Sequence, residues 1–71
     1  MAEFIQELIK VQKARGLTDG DMAEKVGITR QWYFAIRTGK ARPSVRTLRN
    51  VSMAFPSLSK SVRQIIDAMF K

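Results

Sequence analysis

Six carboxylates, a scatter of hydroxyls and thirteen basic residues are all the chemistry this 71-residue chain can offer. It has no cysteine and no histidine. Disulfides, thiolate nucleophiles and iron–sulfur ligation are therefore excluded, and so are zinc sites built on Cys or His and the commonest general base. Glu3 and Glu7 stand one helical turn apart and imitate a catalytic carboxylate pair, but the better reading is a solvated helix face with Glu7 beside Lys10. No enzymatic motif remains, and no metal or cofactor is expected.

The basic residues are more informative. The net charge is +7, and it is unevenly spread. Residues 1–24 carry five acids against Lys10, Lys13 and Arg15, whereas residues 25–66 carry nine bases and no acid. A stretch of this length with one sign of charge favours a polyanionic partner over mere solubility. Hydrophobic residues make up 45% of the chain, enough for a small core and too many for disorder. The start, MAEFIQEL, lacks the basic lead of a secretory signal, and no apolar run approaches the ~18 residues of a membrane span. A cytoplasmic location in a bacterial or phage-infected cell is the expectation.

The elements that must position these charges read as helices throughout, with no competing strand pattern. A first helix is expected over about residues 2–15, with Phe4, Leu8 and Val11 as its apolar stripe and Gly16 as its stop. A second opens at Thr18, a good N-cap, with Asp19 and Asp21 where the helix dipole favours acids, and ends near Val26. A third runs from Thr29 to about Thr38. A fourth follows Pro43-Ser44, with Ser44 as cap and Val45, Leu48 and Val51 buried, and Pro56 ends it. A last helix starts at Ser59 or Ser61, where Ser61 and Gln64 have capping-box spacing. Val62, Ile65 and Ile66 would close the core, and Met69 and Phe70 are candidates for a dimer contact. The fold class expected is all-α: a compact bundle of five short helices in a single domain over residues 1–71, with a C-terminal helix over about 59–70.

Residues 17–44, LTDGDMAEKVGITRQWYFAIRTGKARPS, carry the functional signal. Ala23 is small where two helices joined by a short turn must cross, and Gly27, four residues on, sits where the chain bends and accepts positive φ. Met22, Val26, Ile28, Tyr33 and Ile36 surround them with apolar groups. This is the spacing of a helix-turn-helix over about residues 18–38.

The stretch resembles the lambda-repressor/Cro-type helix-turn-helix family of bacterial and phage transcription regulators. The likeness covers about residues 4–55 and rests on Leu17-Thr18, Met22-Ala23-Glu24-Lys25, Gly27-Ile28-Thr29-Arg30, Ile36, Thr38-Gly39-Lys40 and Pro43-Ser44. It implies a lambda repressor-like DNA-binding domain whose helix 29–38 enters the major groove. Arg30, Gln31, Trp32 and Ala35 would then be base-reading. Thr18, Thr29, Thr38, Lys40, Arg42 and Arg46 would meet phosphate. The chemistry agrees: an arginine fork suits guanine, a glutamine amide suits adenine, and a methyl suits thymine. The partner implied is double-stranded DNA with a palindromic or pseudo-palindromic operator, bound by a homodimer.

Three features depart from the family pattern. Asp19 stands where glutamine often touches the DNA backbone, so either the helix start sits back from DNA or Asp19 only caps its own helix. Arg37 stands where glutamate is usual, and the family's internal ion pair with the first helix is expected to be missing. The run Trp32-Tyr33-Phe34 cannot share one helix face, so Tyr33 should be core while Trp32 and Phe34 point at least partly outward. An alternative reading uses those two aromatics as anchors of a protein-interaction module, antirepressor or antitoxin-like.

Overall fold

A computed structural model describes residues 1–70. The helices are α1 (Ala2–Ala14), α2 (Asp19–Val26), α3 (Arg30–Arg37), α4 (Val45–Ala54) and α5 (Ser59–Met69), with a 3₁₀ turn over Pro56–Leu58 leading into α5. The all-α class and the five helices are as the periodicity predicts, and no strand occurs among the described residues. The radius of gyration, 11.0 Å, equals the ~11 Å expected of a compact chain of this length, so no described segment trails away from the body.

One core joins every helix. Phe4 and Leu8 from α1 meet Met22, Ala23 and Val26 from α2, Tyr33 from α3, Leu48 and Val51 from α4, and Val62 from α5, with Phe55 and Leu58 closing the lower corner. Each fully buried Leu, Val, Met or Phe contributes roughly 1.5–3 kcal/mol of transfer free energy, and this cluster takes the place of the metal or disulfide that small folds often require.

Local sequence chemistry sets the ends of the elements. Thr18 Oγ1 accepts the Asp21 N–H at 3.1 Å while the Asp21 carboxylate accepts the Thr18 N–H at 3.1 Å, a reciprocal cap on α2. Thr29 accepts the Trp32 N–H and Ser44 accepts the Thr47 N–H, which start α3 and α4. Gly27 ends α2 in the left-handed region (φ 72°), and the Ile28 N–H returns to the Ala23 carbonyl at 3.0 Å. That closure needs positive φ at one residue, which costs glycine nothing. It bends the chain through the helix-turn-helix and swings α3 across α2.

Three expectations are corrected. Val45 is only half-buried, and Thr47 is buried instead, because Ser44 donates its hydroxyl proton to Thr47 Oγ1 and carries that side chain inward. The Ser61–Gln64 box does not form: the 3₁₀ turn passes directly into α5 at Ser59, Leu58 occupies the cap, and Ser61 donates to Glu7 on α1. Glu7 is therefore engaged across helices and does not simply face solvent beside Lys10. In α5, Val62 is buried, Ile65 and Ile66 pack partly against the core, and Met69 and Phe70 are exposed.

Candidate nucleic-acid interface

α3 turns one face to the core and the other to solvent. Tyr33 and Ile36 are buried on its inner face, while Arg30, Gln31, Trp32 and Phe34 are exposed and Ala35 is half-buried. The three aromatics thus separate as the helical geometry requires. Arg30, Gln31 and Phe34 join Thr18, Asp19 and Gly20 around an open hollow of about 640 Å³ between the starts of α2 and α3. At Gly20 the Arg30 side chain passes close, 3.9 Å from where a Cβ would stand.

Cations follow α3 along the chain. Lys40 and Arg42 lie on the segment leaving α3, Arg46 is on the first turn of α4, and all three are exposed. Among the described residues, the sole carboxylate–base pair within 4.0 Å is Asp19–Arg37. The other eight bases of residues 25–66 have no such partner, and all eight are exposed. Thr18 and Thr29 each accept one backbone N–H in capping, which leaves the hydroxyl proton free for an outside acceptor. Thr38 differs. Its hydroxyl donates to the Phe34 carbonyl at 2.8 Å, so it meets a phosphate only by giving up that bond.

The pairing of Asp19 with Arg37 overturns one expectation, that Asp19 only caps its own helix. Asp19 neither caps α2 nor faces outward unpaired. Its carboxylate accepts Arg37 Nε and Nη2, each at 3.0 Å, and Gln12 Nε2 at 2.9 Å. Gln12 in turn accepts the Tyr33 hydroxyl at 2.6 Å. As expected, no ion pair joins Arg37 to α1 among the described residues; a different pair runs between α2 and α3 instead, with Gln12 bringing in α1. Arg37 and Gln12 hold the Asp19 carboxyl below its usual range, and the same contact raises Arg37. Burial, reinforced by the Asp19 charge, pushes Tyr33 up to about 12. With its charge matched in this way, Asp19 repels a nearby phosphate less than a free carboxylate would. The separate oddities of an acid at 19 and a base at 37 were each visible in the sequence. Their opposite signs were the clue that they belong together.

No metal site accompanies these groups, since no three potential ligands cluster among the described residues. No described helix is long and apolar enough to cross a membrane.

Comparison with known proteins agrees with this geometry. The sequence profile of the helix-turn-helix family matches residues 5–60. Over 49 residues the chain is 43% identical to the uncharacterized HTH-type transcriptional regulator YqaE of Bacillus subtilis (strain 168), covering 69% of this chain and 42% of that protein. It is 39% identical over 49 residues to the SPbeta prophage-derived uncharacterized HTH-type transcriptional regulator YonR of the same organism, covering 69% and 45%. The chain thus spans less than half the length of these relatives. No solved structure matches at a comparable level of significance. With a bend at Gly27, a buried Ala23 on the first of two short helices, and a profile match over most of its length, the chain belongs to the helix-turn-helix family.

Proposed function

We propose that this protein is a sequence-specific regulator of transcription that binds double-stranded DNA, without enzymatic activity, and that α3 reads the major groove. The observation that carries this reading is that the outer side chains of α3, Arg30 and Gln31 among them, are exposed, and that eight bases of residues 25–66 are exposed without a carboxylate partner. A surface so arranged gains by releasing counterions from a phosphate backbone. Arg30, Gln31, Trp32 and Ala35 take the base edges, with Arg30 suited to guanine and Gln31 to adenine, each bidentate pair giving roughly 1–3 kcal/mol of discrimination. Thr18, Thr29, Lys40, Arg42 and Arg46, with Thr38 after rotation of its hydroxyl, fix the register on phosphates and carry no sequence information. The two relatives are transcriptional regulators by name, one of them prophage-derived, and in this reading the protein is a Cro-type repressor of phage or bacterial origin working in the cytoplasm.

A domain this small covers few base pairs, so a homodimer on a two-fold operator follows, with half-sites about one DNA turn apart. Met69 and Phe70, exposed at the end of α5, are the dimer contacts in this reading. Selection of bound duplexes from a random pool tests it. The expected result is a symmetric or nearly symmetric site. Recovery of no preferred duplex, with retention of a protein partner through Trp32 and Phe34 instead, contradicts it.

A further inference from the structure

Phe34 has a place in the groove-facing surface that its residue type hides. At about 100° per residue, the outward direction of α3, opposite the buried Tyr33 and Ile36, falls between Gln31 and Thr38, with Phe34 about 50° to one side and Trp32 about 110° to the other. Phe34 and Trp32 are equally exposed, at 46%, yet only Phe34 shares the hollow with Arg30 and Gln31. Its ring is also held. The Arg37 guanidinium lies 4.9 Å from the ring centroid, within the range of cation–π attraction. Arg37 is gripped through two hydrogen bonds by Asp19, Asp19 by Gln12, and Gln12 by Tyr33. An exposed aromatic ring is thus tied through side chains of all three N-terminal helices.

Resting on the DNA-binding reading above, we propose that Phe34 is a specificity-determining residue whose ring contacts the 5-methyl group of a thymine, and that Arg37, Asp19 and Gln12 are the residues that position it. The major groove presents one apolar group, and it is that methyl. A phenyl ring offers a phosphate nothing. The guanidinium beside it is already matched by Asp19, so this part of the surface adds little to the grip on the backbone. The neighbours Arg30 and Gln31 supply the polar contacts to adjoining purines, and Phe34 supplies the apolar one.

The test uses the selected duplex with each thymine in turn replaced by deoxyuridine, which lacks only the methyl. Wild-type protein is expected to lose about fourfold in affinity at one thymine per half-site, the worth of one buried methyl group. Phe34→Ala should bind the thymine and deoxyuridine forms equally at that position, keep wild-type affinity for random duplex, and keep the preference at the base read by Arg30. Phe34→Leu should retain part of the discrimination. Arg37→Gln should lower the thymine-to-deoxyuridine ratio toward one without abolishing the Arg30 preference, which a general loss of folding would not spare. The proposal is overturned if no deoxyuridine substitution weakens wild-type binding, or if Phe34→Ala weakens specific and random duplexes alike. Selection of no site at all overturns the DNA-binding reading itself, a separate and recognisable failure.

Discussion

Asp19 shows how one residue can matter through what it neutralises. Its carboxyl is held below its usual range by Arg37 and Gln12, so the folded state binds its proton less readily than the unfolded chain does. That stabilisation is present above the ordinary carboxylate range, near pH 4, and is lost as pH falls through the lowered folded value. Asp21, lowered by its bond from the Thr18 N–H, acts in the same direction. Thermal melts between pH 2 and 6 should show wild-type stability falling with acid and a flatter profile for Asp19→Asn. Tyr33 acts at the other limit. Its folded value of about 12 stands above the ordinary 10.0, so its contribution is intact below pH 10 and disappears toward pH 12. Tyr33→Phe should flatten that alkaline limb. Gly20 offers a gain: a Cβ there meets only ordinary contacts, 3.7 Å from Thr18 Oγ1 and 3.9 Å from Arg30 Cδ. Gly20→Ala should therefore raise stability by about 0.5–1 kcal/mol, read from chemical denaturation. At this scale the sequence was half legible. The identities of Asp19 and Arg37 were plain, but their pairing joins positions 18 residues apart, a distance that only the crossing of α2 and α3 closes.

The helices were the most legible part of the molecule, because their limits rest on local chemistry. Thr18, Thr29 and Ser44 each cap the helix that follows, as their residue types and places before apolar runs predict. Ser61 was misread for a physical reason: Pro56 sets a 3₁₀ turn that feeds α5 without a break, so the helix was already under way when it reached the serine. Periodicity extrapolates the stripe to Val45, the first residue of α4, whereas Leu48 and Val51 are buried with Thr47, whose side chain is joined to the Ser44 cap. Thr18→Ala should cost about 1 kcal/mol, since it removes a cap that is reciprocal. Gly27→Ala should cost about 1–2 kcal/mol for a Cβ in the left-handed region. It would also press within 3.3 Å of Asn50 Nδ2, the group that donates to the Val26 carbonyl. Denaturant midpoints for the two variants check both values.

Over the whole molecule, the charge is divided by role. Three of the five acids of the first 24 residues, Asp21, Asp19 and Glu7, are spent on a cap and on contacts between helices. The bases of residues 25–66 other than Arg37 face out, and Arg37 alone is neutralised. Composition alone showed this asymmetry, and the helix-turn-helix spacing showed where the reading helix lies. The hollow at Phe34 could not be read from either, because it is made where the starts of two helices meet. The exposed apolar end of α5 at Met69 and Phe70 carries the expectation of a dimer, which sedimentation in the presence and absence of operator duplex would measure. The central claim is that α3 reads bases while the surrounding cations hold phosphates. Its most direct measurement is affinity against salt concentration, on the selected and on a random duplex, for wild type and Gln31→Ala. Both proteins should show a steep fall, about 0.9 log units per decade of salt for each phosphate contact, and the variant should lose affinity for the selected duplex alone. Salt-insensitive binding, or an equal loss by Gln31→Ala on both duplexes, would contradict it.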